Sequence, residues 1–373
     1  MKKIKIILFT GGGSGGHVMP LIAIVRELKK ISQSSDFLLH YAGPKEDCLL
    51  IQNERLETHP LIIGKIRRYF SFTNFIDFLF FIPLSFIQSF FLVMFLRPSL
   101  VFSKGGSGSL PITYAAKIFK IPVFIHESDS VTGKSNKITA KWAKKVFISF
   151  ENTIFFNKPK TVLTGNPIRK DLINGNKEEA KAALGITSQK PVILIWGGSQ
   201  GAQAINSFLM VVLSNLLQNY EVIHVSGKKN YKAVSLESRA FLADKSQEES
   251  YHLHDFLDQN QVKNAYSACD IIISRAGSAS IFEIAALGKP SILIPLPTSA
   301  HNHQTKNAYE YAKNGACIVI EQDDLSPGFF LGEIYNILSQ SDKMKKSALE
   351  FSKPAATENI AKEIMQFLKN ETI

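Results

Sequence analysis

The sequence predicts an α/β protein of two Rossmann-like, doubly wound parallel-sheet domains facing across a cleft. Three observations carry that expectation. Short β-rich runs alternate with helix-like stretches along most of the chain, the pattern of βαβ units. The 373 residues are long for one hydrophobic core, and two α/β domains of roughly 150–200 residues fit better. Each half also opens the same way, with a strand, a glycine-rich turn and a helix.

In the first half strands are expected at Ile4–Phe9, Phe37–Ala42, Ser99–Ser103, Val123–His126 and Val146–Ile148. In the second they are expected at Val192–Trp196, Glu221–Val225, Asp270–Ser274, Ser291–Ile294 and Ala316–Ile320. The turn-forming run Thr164-Gly165-Asn166-Pro167 lies between the sets and marks the hinge. The expected domains are therefore 1–165 and 166–352. A last helix over 353–373, beginning near Pro354, is expected to pack back on the first domain.

Composition narrows the class. Apolar residues make up 45% and charged residues 20%, which is ordinary for a globular protein. Cys48, Cys269 and Cys317 are odd in number and widely spaced, which speaks for a reducing compartment and against a disulfide framework or a zinc site. The net charge of +11 favours polyanions, whether nucleic acid, anionic lipid or phosphorylated small molecules; a lysine-rich solvated surface is the plainer reading. The opening MKKIKIILFT imitates a signal peptide, but its apolar run is short and leads into glycines without a cleavage site. It reads as a buried first strand, and the protein is expected in the cytoplasm.

Each opening turn, Gly11–His17 and Gly197–Gly201, lets backbone approach a ligand and offers a helix N-terminus to an anion. Two such turns suggest one cleft receiving phosphates from both sides. Gly11, Gly13 and Gly16 satisfy the dinucleotide fingerprint, yet the second strand ends without the acidic residue that holds a ribose, so the NAD reading loses its second anchor. Glycines serving only a tight turn remain an alternative. His17 at a helix start is disfavoured as a cation, and a neutral imidazole beside a phosphate cradle suits a general base; capping or packing is the alternative. In the stretch 274–283, Ser278 and Ser280 can cap a helix. Glu283 is either a capping-box partner or a carboxylate accepting from two vicinal ribose hydroxyls. His301 and His303 lack a completing ligand set for a metal; with Gln304 they suit sugar hydroxyls.

Tyr69–Leu96 holds ten phenylalanines in 28 residues and follows Lys65, Arg67 and Arg68. Its length would span a bilayer, but Asn74, Asp77, Pro83 and Gln88 interrupt it. A span would also separate the first two strands from their own sheet. The expectation is a hairpin or kinked helix, partly packed on the sheet, with Phe75, Phe78, Leu79, Phe81 and Phe86 entering the membrane interface and the basic cluster meeting anionic headgroups. A buried helix pair is the alternative.

Six motifs in order, GGGSGGHVMP, IHESDSVTGKSNK, GNPIR, GGSQGAQAIN, SRAGSASIFEIAALGKP and HNHQTKNA, make the chain resemble the MurG family of bacterial glycosyltransferases (family 28). The resemblance implies a GT-B fold and inverting transfer of N-acetylglucosamine from UDP-N-acetylglucosamine to the muramoyl 4-hydroxyl of lipid I, undecaprenyl-pyrophosphoryl-muramoyl-peptide, giving lipid II. It also implies no cofactor and no required metal, no nucleic-acid partner, and peripheral attachment to an anionic membrane surface on the cytoplasmic side. By the same resemblance Ser14, Gly15 and Gly16 meet the acceptor pyrophosphate, and His17 is a candidate base. Arg169, Ser199, Leu257, Ser278, Ala279, Ser280, Ile281, Phe282, Glu283 and Gln304 bind the donor. Ser199 and the backbone of 278–281 face the phosphates, Leu257 the uracil, Glu283 the ribose and Gln304 the sugar. Many relatives carry His-Glu-Gln-Asn where this chain has His126-Glu127-Ser128-Asp129, so Asp129 replaces an amide and becomes a second candidate base. Another GT-B enzyme, such as a glycolipid synthase or UDP-sugar epimerase, and a non-catalytic nucleotide-sugar or lipid-carrier binding protein, are the alternatives.

Overall fold

The computed structural model describes residues 4–12, 15–32, 37–64, 75, 77–106, 108–153, 160–198, 201–242 and 244–370. The chain divides into two compact units, Met1–Ile168 with Pro354–Ile373, and Arg169–Lys353.

In the first unit β1 (Lys5–Gly12), β2 (Phe37–Gly43), β3 (Glu57–Pro60), β4 (Leu100–Gly106), β5 (Val123–Glu127), β6 (Lys145–Ile148) and β7 (Thr161–Leu163) form one sheet in the order β3-β2-β1-β4-β5-β6-β7. In the second, β8 (Val192–Trp196), β9 (Glu221–Val225), β10 (Tyr251–His254), β11 (Ile271–Ser274), β12 (Ser291–Leu293) and β13 (Cys317–Val319) follow the order β10-β9-β8-β11-β12-β13. All pairings are parallel. All ten strands expected from the sequence are present; β3, β7 and β10, each at a sheet edge, are additional.

Helices cover both faces of a parallel sheet, so its central strands are apolar on both sides. β1 shows this directly. Ile7 and Phe9 point into a core with Val18, Leu21, Ile360 and Ile364, while Leu8 points into the opposite one with Val93, Ile112 and Ala116. The terminal helix Ala356–Asn370 thus belongs to the first core; its Thr357 Oγ1 donates to Ile168 O at 3.2 Å.

Strand order reverses between β1 and β4 and between β8 and β11. Crevices beyond the carboxyl ends of strands at such points are where doubly wound sheets bind ligands. At the first reversal two glycines are obligatory. A Cβ on Gly12 (φ +135°) would lie 2.1 Å from Asp47 Oδ2, and one on Gly106 (φ +89°) 2.2 Å from Gly12 O.

The phenylalanine-rich segment crosses from β3 to β4 as a π-helical turn, Asp77–Phe81, running into the helix Ile82–Leu96 with Pro83 in its first turn. Ser85, Ser89 and Val93, four residues apart, are buried where this helix packs on Ser109–Ile118. Phe80, Leu84, Ile87, Phe91 and Phe95 are exposed, Phe95 by 78%. Of the residues expected at a membrane, Phe75, Leu79 and Phe81 are exposed. Phe86 differs: it is half-buried, edge-on to Tyr114, because it borders the packed face. The basic cluster Lys65, Arg67 and Arg68, and the Phe78 side chain, lie outside the described residues.

Candidate functional site

In the first unit β1 delivers its chain to the helix Gly15–Ile31, which places Gly15, Gly16 and His17 in the first helical turn. Gly16 is exposed and His17 half-buried; Ser14 lies outside the described residues. Beside this turn, at the end of β4, stands a residue the sequence reading passed over. Lys104 is 1% exposed. Its Nζ lies 2.5 Å from His126 Nδ1, 2.6 Å from Ser128 Oγ and 2.8 Å from Asn166 Oδ1, which occupies all three N–H bonds of an ammonium. His126 Nε2 lies 3.0 Å from Gly165 O, and a carbonyl only accepts. Nε2 therefore carries the imidazole proton, and Nδ1 receives the lysine. Burial pushes Lys104 down to about 7, against the pull of Glu127 and Asp129. Burial likewise holds His126 neutral.

Glu127, also buried, accepts from Gly133 N at 2.9 Å, Asn136 Nδ2 at 3.0 Å and Asp129 N at 3.2 Å. Burial and then the Asp129 charge raise its carboxyl well above the usual range. Asp129 is half-buried at the rim of the same turn. Thr10 Oγ1, Asn136 Oδ1 and Asn166 Nδ2, all buried around these strand ends, have no hydrogen-bond partner among the described residues. Lysine inside an apolar strand, immediately before Gly105 and Gly106, was the signal available for this cluster.

In the second unit the helix Ser278–Ala286 starts where β11 ends. Gly277 is its N-cap, so Ser278 and Ser280, which the sequence offered as capping residues, lie inside its first turn. A Cβ on Gly277 would meet nothing within 4 Å, so the approach to the helix start is open. The backbone of Ser278, Ala279 and Ser280 forms the first turn. Ile281 and Phe282 turn their side chains into the core, Phe282 against Phe351 at 5.3 Å. Leu257 is in the core as well. For these three, only backbone remains to meet a donor. Ser199 lies outside the described residues.

Glu283 is no capping-box partner. Its Oε2 accepts from the Tyr266 hydroxyl at 3.0 Å, and its Oε1 lies 3.8 Å from Arg169 Nη2. Burial raises the carboxyl; Arg169 and Tyr266 oppose that. Arg169 Nε is buried without a partner among the described residues. Tyr266 packs on Trp196 at the end of β8, ring centroids 5.5 Å apart. Arg275 Nη1 donates to Ile294 O and Pro295 O at 3.1 and 3.0 Å, fixing the loop that leads to Gln304. Gln304 Oε1 accepts from Leu296 N at 3.0 Å, leaving its NH₂ to donate elsewhere. His301 is exposed with φ +54°, and His303 Nδ1 donates to Ala300 O at 2.8 Å.

His40, Glu57 and His59, on β2 and β3, bring three possible metal-ligand atoms together. His40 Nδ1 and His59 Nε2 are 3.0 Å apart, the ring planes differ by 8° and the centroids are 5.3 Å apart. Those values require coplanar rings meeting nitrogen to nitrogen, since each nitrogen must lie on the line of centres. A shared proton fits between them; a tetrahedral ion with N–metal bonds of about 2.0–2.1 Å does not fit on that line.

Residues 7–148 match the glycosyltransferase family 28 N-terminal domain and residues 192–366 its C-terminal domain. The UDP-N-acetylglucosamine–N-acetylmuramyl-(pentapeptide) pyrophosphoryl-undecaprenol N-acetylglucosamine transferase of Clostridium tetani is 35% identical, covering 96% of this chain and 97% of the relative. The Clostridium kluyveri protein of the same name is 34% identical over 98% and 99%. Among solved structures, Acinetobacter baumannii MurG superposes with a TM-score of 0.72 at 24% identity, covering 97% and 99% of the two chains. The UDP-GlcNAc 2-epimerase of Neisseria meningitidis, bound to UDP-GlcNAc, gives 0.69 at 15%, covering 97% and 100%. Both show the fold.

Proposed function

The chain belongs to glycosyltransferase family 28, and from that premise we propose its reaction, the residues that perform it and its place in the cell. It transfers N-acetylglucosamine from UDP-N-acetylglucosamine to lipid I, giving lipid II for peptidoglycan synthesis, the reaction named for its full-length relatives. The observation that carries the donor half is the glycine-capped helix start at Ser278, on the helix that carries Glu283, with Arg169 Nε buried and without a partner among the described residues.

The donor diphosphate sits at the backbone N–H groups of 278–281, where the helix dipole and peptide donors complement negative charge. Glu283, already oriented by Tyr266, accepts from the ribose hydroxyls, and Gln304 donates its amide hydrogens to the sugar. The acceptor pyrophosphate takes the start of Gly15–Ile31. His17 or Asp129 removes the proton of the muramoyl 4-hydroxyl as that oxygen attacks the anomeric carbon; the C–O bond to UDP breaks and the diphosphate leaves with the electron pair. Charge developing on UDP is met by the helix start and Arg169, so the reaction proceeds without a divalent ion.

The chain works at the cytoplasmic face of the cell membrane, supplying precursor for cell shape and division. Leu79–Leu96 is long and apolar enough to cross a membrane. It lies between β3 and β4 of one sheet, and crossing would place two strands of that sheet on opposite sides. Its exposed phenylalanines instead enter the interface, with Arg97 at the C-cap of the same helix for anionic headgroups. UDP release from UDP-N-acetylglucosamine, with and without a lipid I analogue and repeated in EDTA, tests the proposal. Acceptor-dependent, EDTA-resistant release is expected. Release indifferent to acceptor overturns the transfer; loss in EDTA overturns the metal-free route.

A further inference from the structure

Trp196 is the last residue of β8 and the one residue of that strand that is not buried. In the sheet it stands between Val225, at the end of β9, and Ser274, at the end of β11, both buried. The chain then turns through Gly197 and Gly198, and a Cβ on Gly198 would meet nothing within 4 Å. An indole is left at the carboxyl end of the central strand, where strand order reverses and a doubly wound sheet takes its ligand.

Its contacts fix which way it faces. The ring packs on the core that holds Leu257, Tyr266 and Ile281, on the side of the sheet covered by the helix of Glu283. The Tyr266 ring lies 5.5 Å away, tilted by 36°, and Tyr266 gives its hydroxyl to Glu283. A buried tryptophan usually finds an acceptor for its N–H, as Trp142 does with Thr113 O at 3.2 Å. Trp196 has none among the described residues. Val192 and Leu194, on the same side of β8, already fill the core beneath it. A half-buried aromatic at the strand end adds a flat surface that core filling does not require.

Resting on the donor reading above, we propose that Trp196 is a further donor-binding residue, its indole the floor on which the nucleoside of the nucleotide sugar lies, ribose against the ring. The diphosphate takes the helix start at Ser278 and Glu283 takes the ribose hydroxyls. The ring one side chain away from Glu283, through Tyr266, therefore meets the ribose and not the phosphates. A ribose held at its edge by a carboxylate still exposes its carbon face. An aromatic ring covers that face without competing for the hydroxyls.

Trp142 and Trp196 are the only tryptophans in the sequence, so Trp142→Phe leaves Trp196 as a single fluorescent reporter. Its emission is expected to change saturably with UDP and with uridine, and to stay unchanged with inorganic pyrophosphate. UDP bound by calorimetry with a silent indole overturns the proposal, as does a response to pyrophosphate matching that to UDP. In the otherwise wild-type chain, Trp196→Leu is expected to weaken UDP and uridine binding alike, by roughly 3–10-fold, and Trp196→Phe to recover most of that loss. 2′-Deoxyuridine diphosphate separates contact from support, because it lacks one hydroxyl of the diol that Glu283 holds. An indole touching the nucleoside costs Trp196→Leu the same factor on this probe. A loss that disappears with it would show an indole acting only through Glu283 and overturns the proposal. Should one variant not fold, the measurement on the other decides alone. Absence of UDP binding to the wild type would sink the donor reading and this proposal together, whereas binding with a silent Trp196 sinks this proposal only.

Discussion

The Tyr266 hydroxyl donates to Glu283 Oε2 at 3.0 Å, across 17 residues of sequence, from a helix that otherwise serves only the core. The bond fixes a largely buried carboxylate that has a second oxygen facing Arg169 at 3.8 Å. A carboxylate held this way presents its remaining lone pairs in one orientation, which is what recognition of a ribose diol needs. Tyr266→Phe is therefore expected to raise KM for UDP-N-acetylglucosamine roughly 3–10-fold with kcat little changed, the worth of about one hydrogen bond. Glu283→Gln, which replaces acceptor lone pairs by N–H groups, is expected to cost more, roughly 10–100-fold in KM. Initial-rate kinetics on both variants check this; equal KM in Tyr266→Phe would show that the ring alone matters.

His17 stands in the first turn of Gly15–Ile31, in the unit opposite in sequence to the donor residues. If it takes the acceptor proton, His17→Ala lowers kcat by about 10²–10⁴ while UDP-N-acetylglucosamine binding by calorimetry stays within about twofold. Asp129→Asn separates the candidates. The variant with the larger loss, and without its acid limb, identifies the base.

The central strands were legible because they are buried on both faces: β1, β8 and β11 read as unbroken apolar runs, and each precedes a glycine turn. β3, β7 and β10 were not. Glu57-Thr58-His59-Pro60, Thr161–Leu163 and Tyr251–His254 are short edge strands without a fully buried residue, so their sequences carry little apolar patterning. The donor-binding expectation for 278–283 came from the resemblance of that motif, and it did not say how each residue presents itself. Sequence offered Ser278 and Ser280 as caps where the chain uses Gly277, and it could not tell that Phe282 faces Phe351. Lys104 escaped for a further reason: its meaning lies in Ser128 and Asn166, 24 and 62 residues away, and no local pattern links them.

The exposed face of Ile82–Leu96 supports an expectation about binding. Phe91 and Phe95 stack at 6.3 Å and are 49% and 78% exposed, while Ser85, Ser89 and Val93 hold the helix on its neighbour. Burying each phenylalanine is worth about 1.5–3 kcal/mol. The double variant Phe91→Glu/Phe95→Glu is expected to weaken co-sedimentation with phosphatidylglycerol-containing vesicles at least about tenfold, with an unaltered melting temperature, since neither side chain supports the core. Binding equal to wild type would place the membrane contact elsewhere.

Lys104 also predicts how stability follows pH, and the sign is fixed by burial. Its folded value is pushed down to about 7 from the 10.5 of an unfolded lysine. Between those limits the unfolded chain binds the proton more strongly, so the slope of unfolding free energy against pH is positive. Below about 7 both states hold the proton, and the folded state carries the full cost of a buried charge. The stability difference, wild type minus Lys104→Met, is thus expected to be flat in acid and to climb from about pH 7 towards 10. Subtracting the variant removes the other lysines, which titrate alike in both chains. Urea unfolding at a series of pH values measures the difference; a flat difference across that window would mean that the amine keeps an ordinary affinity for its proton despite its burial.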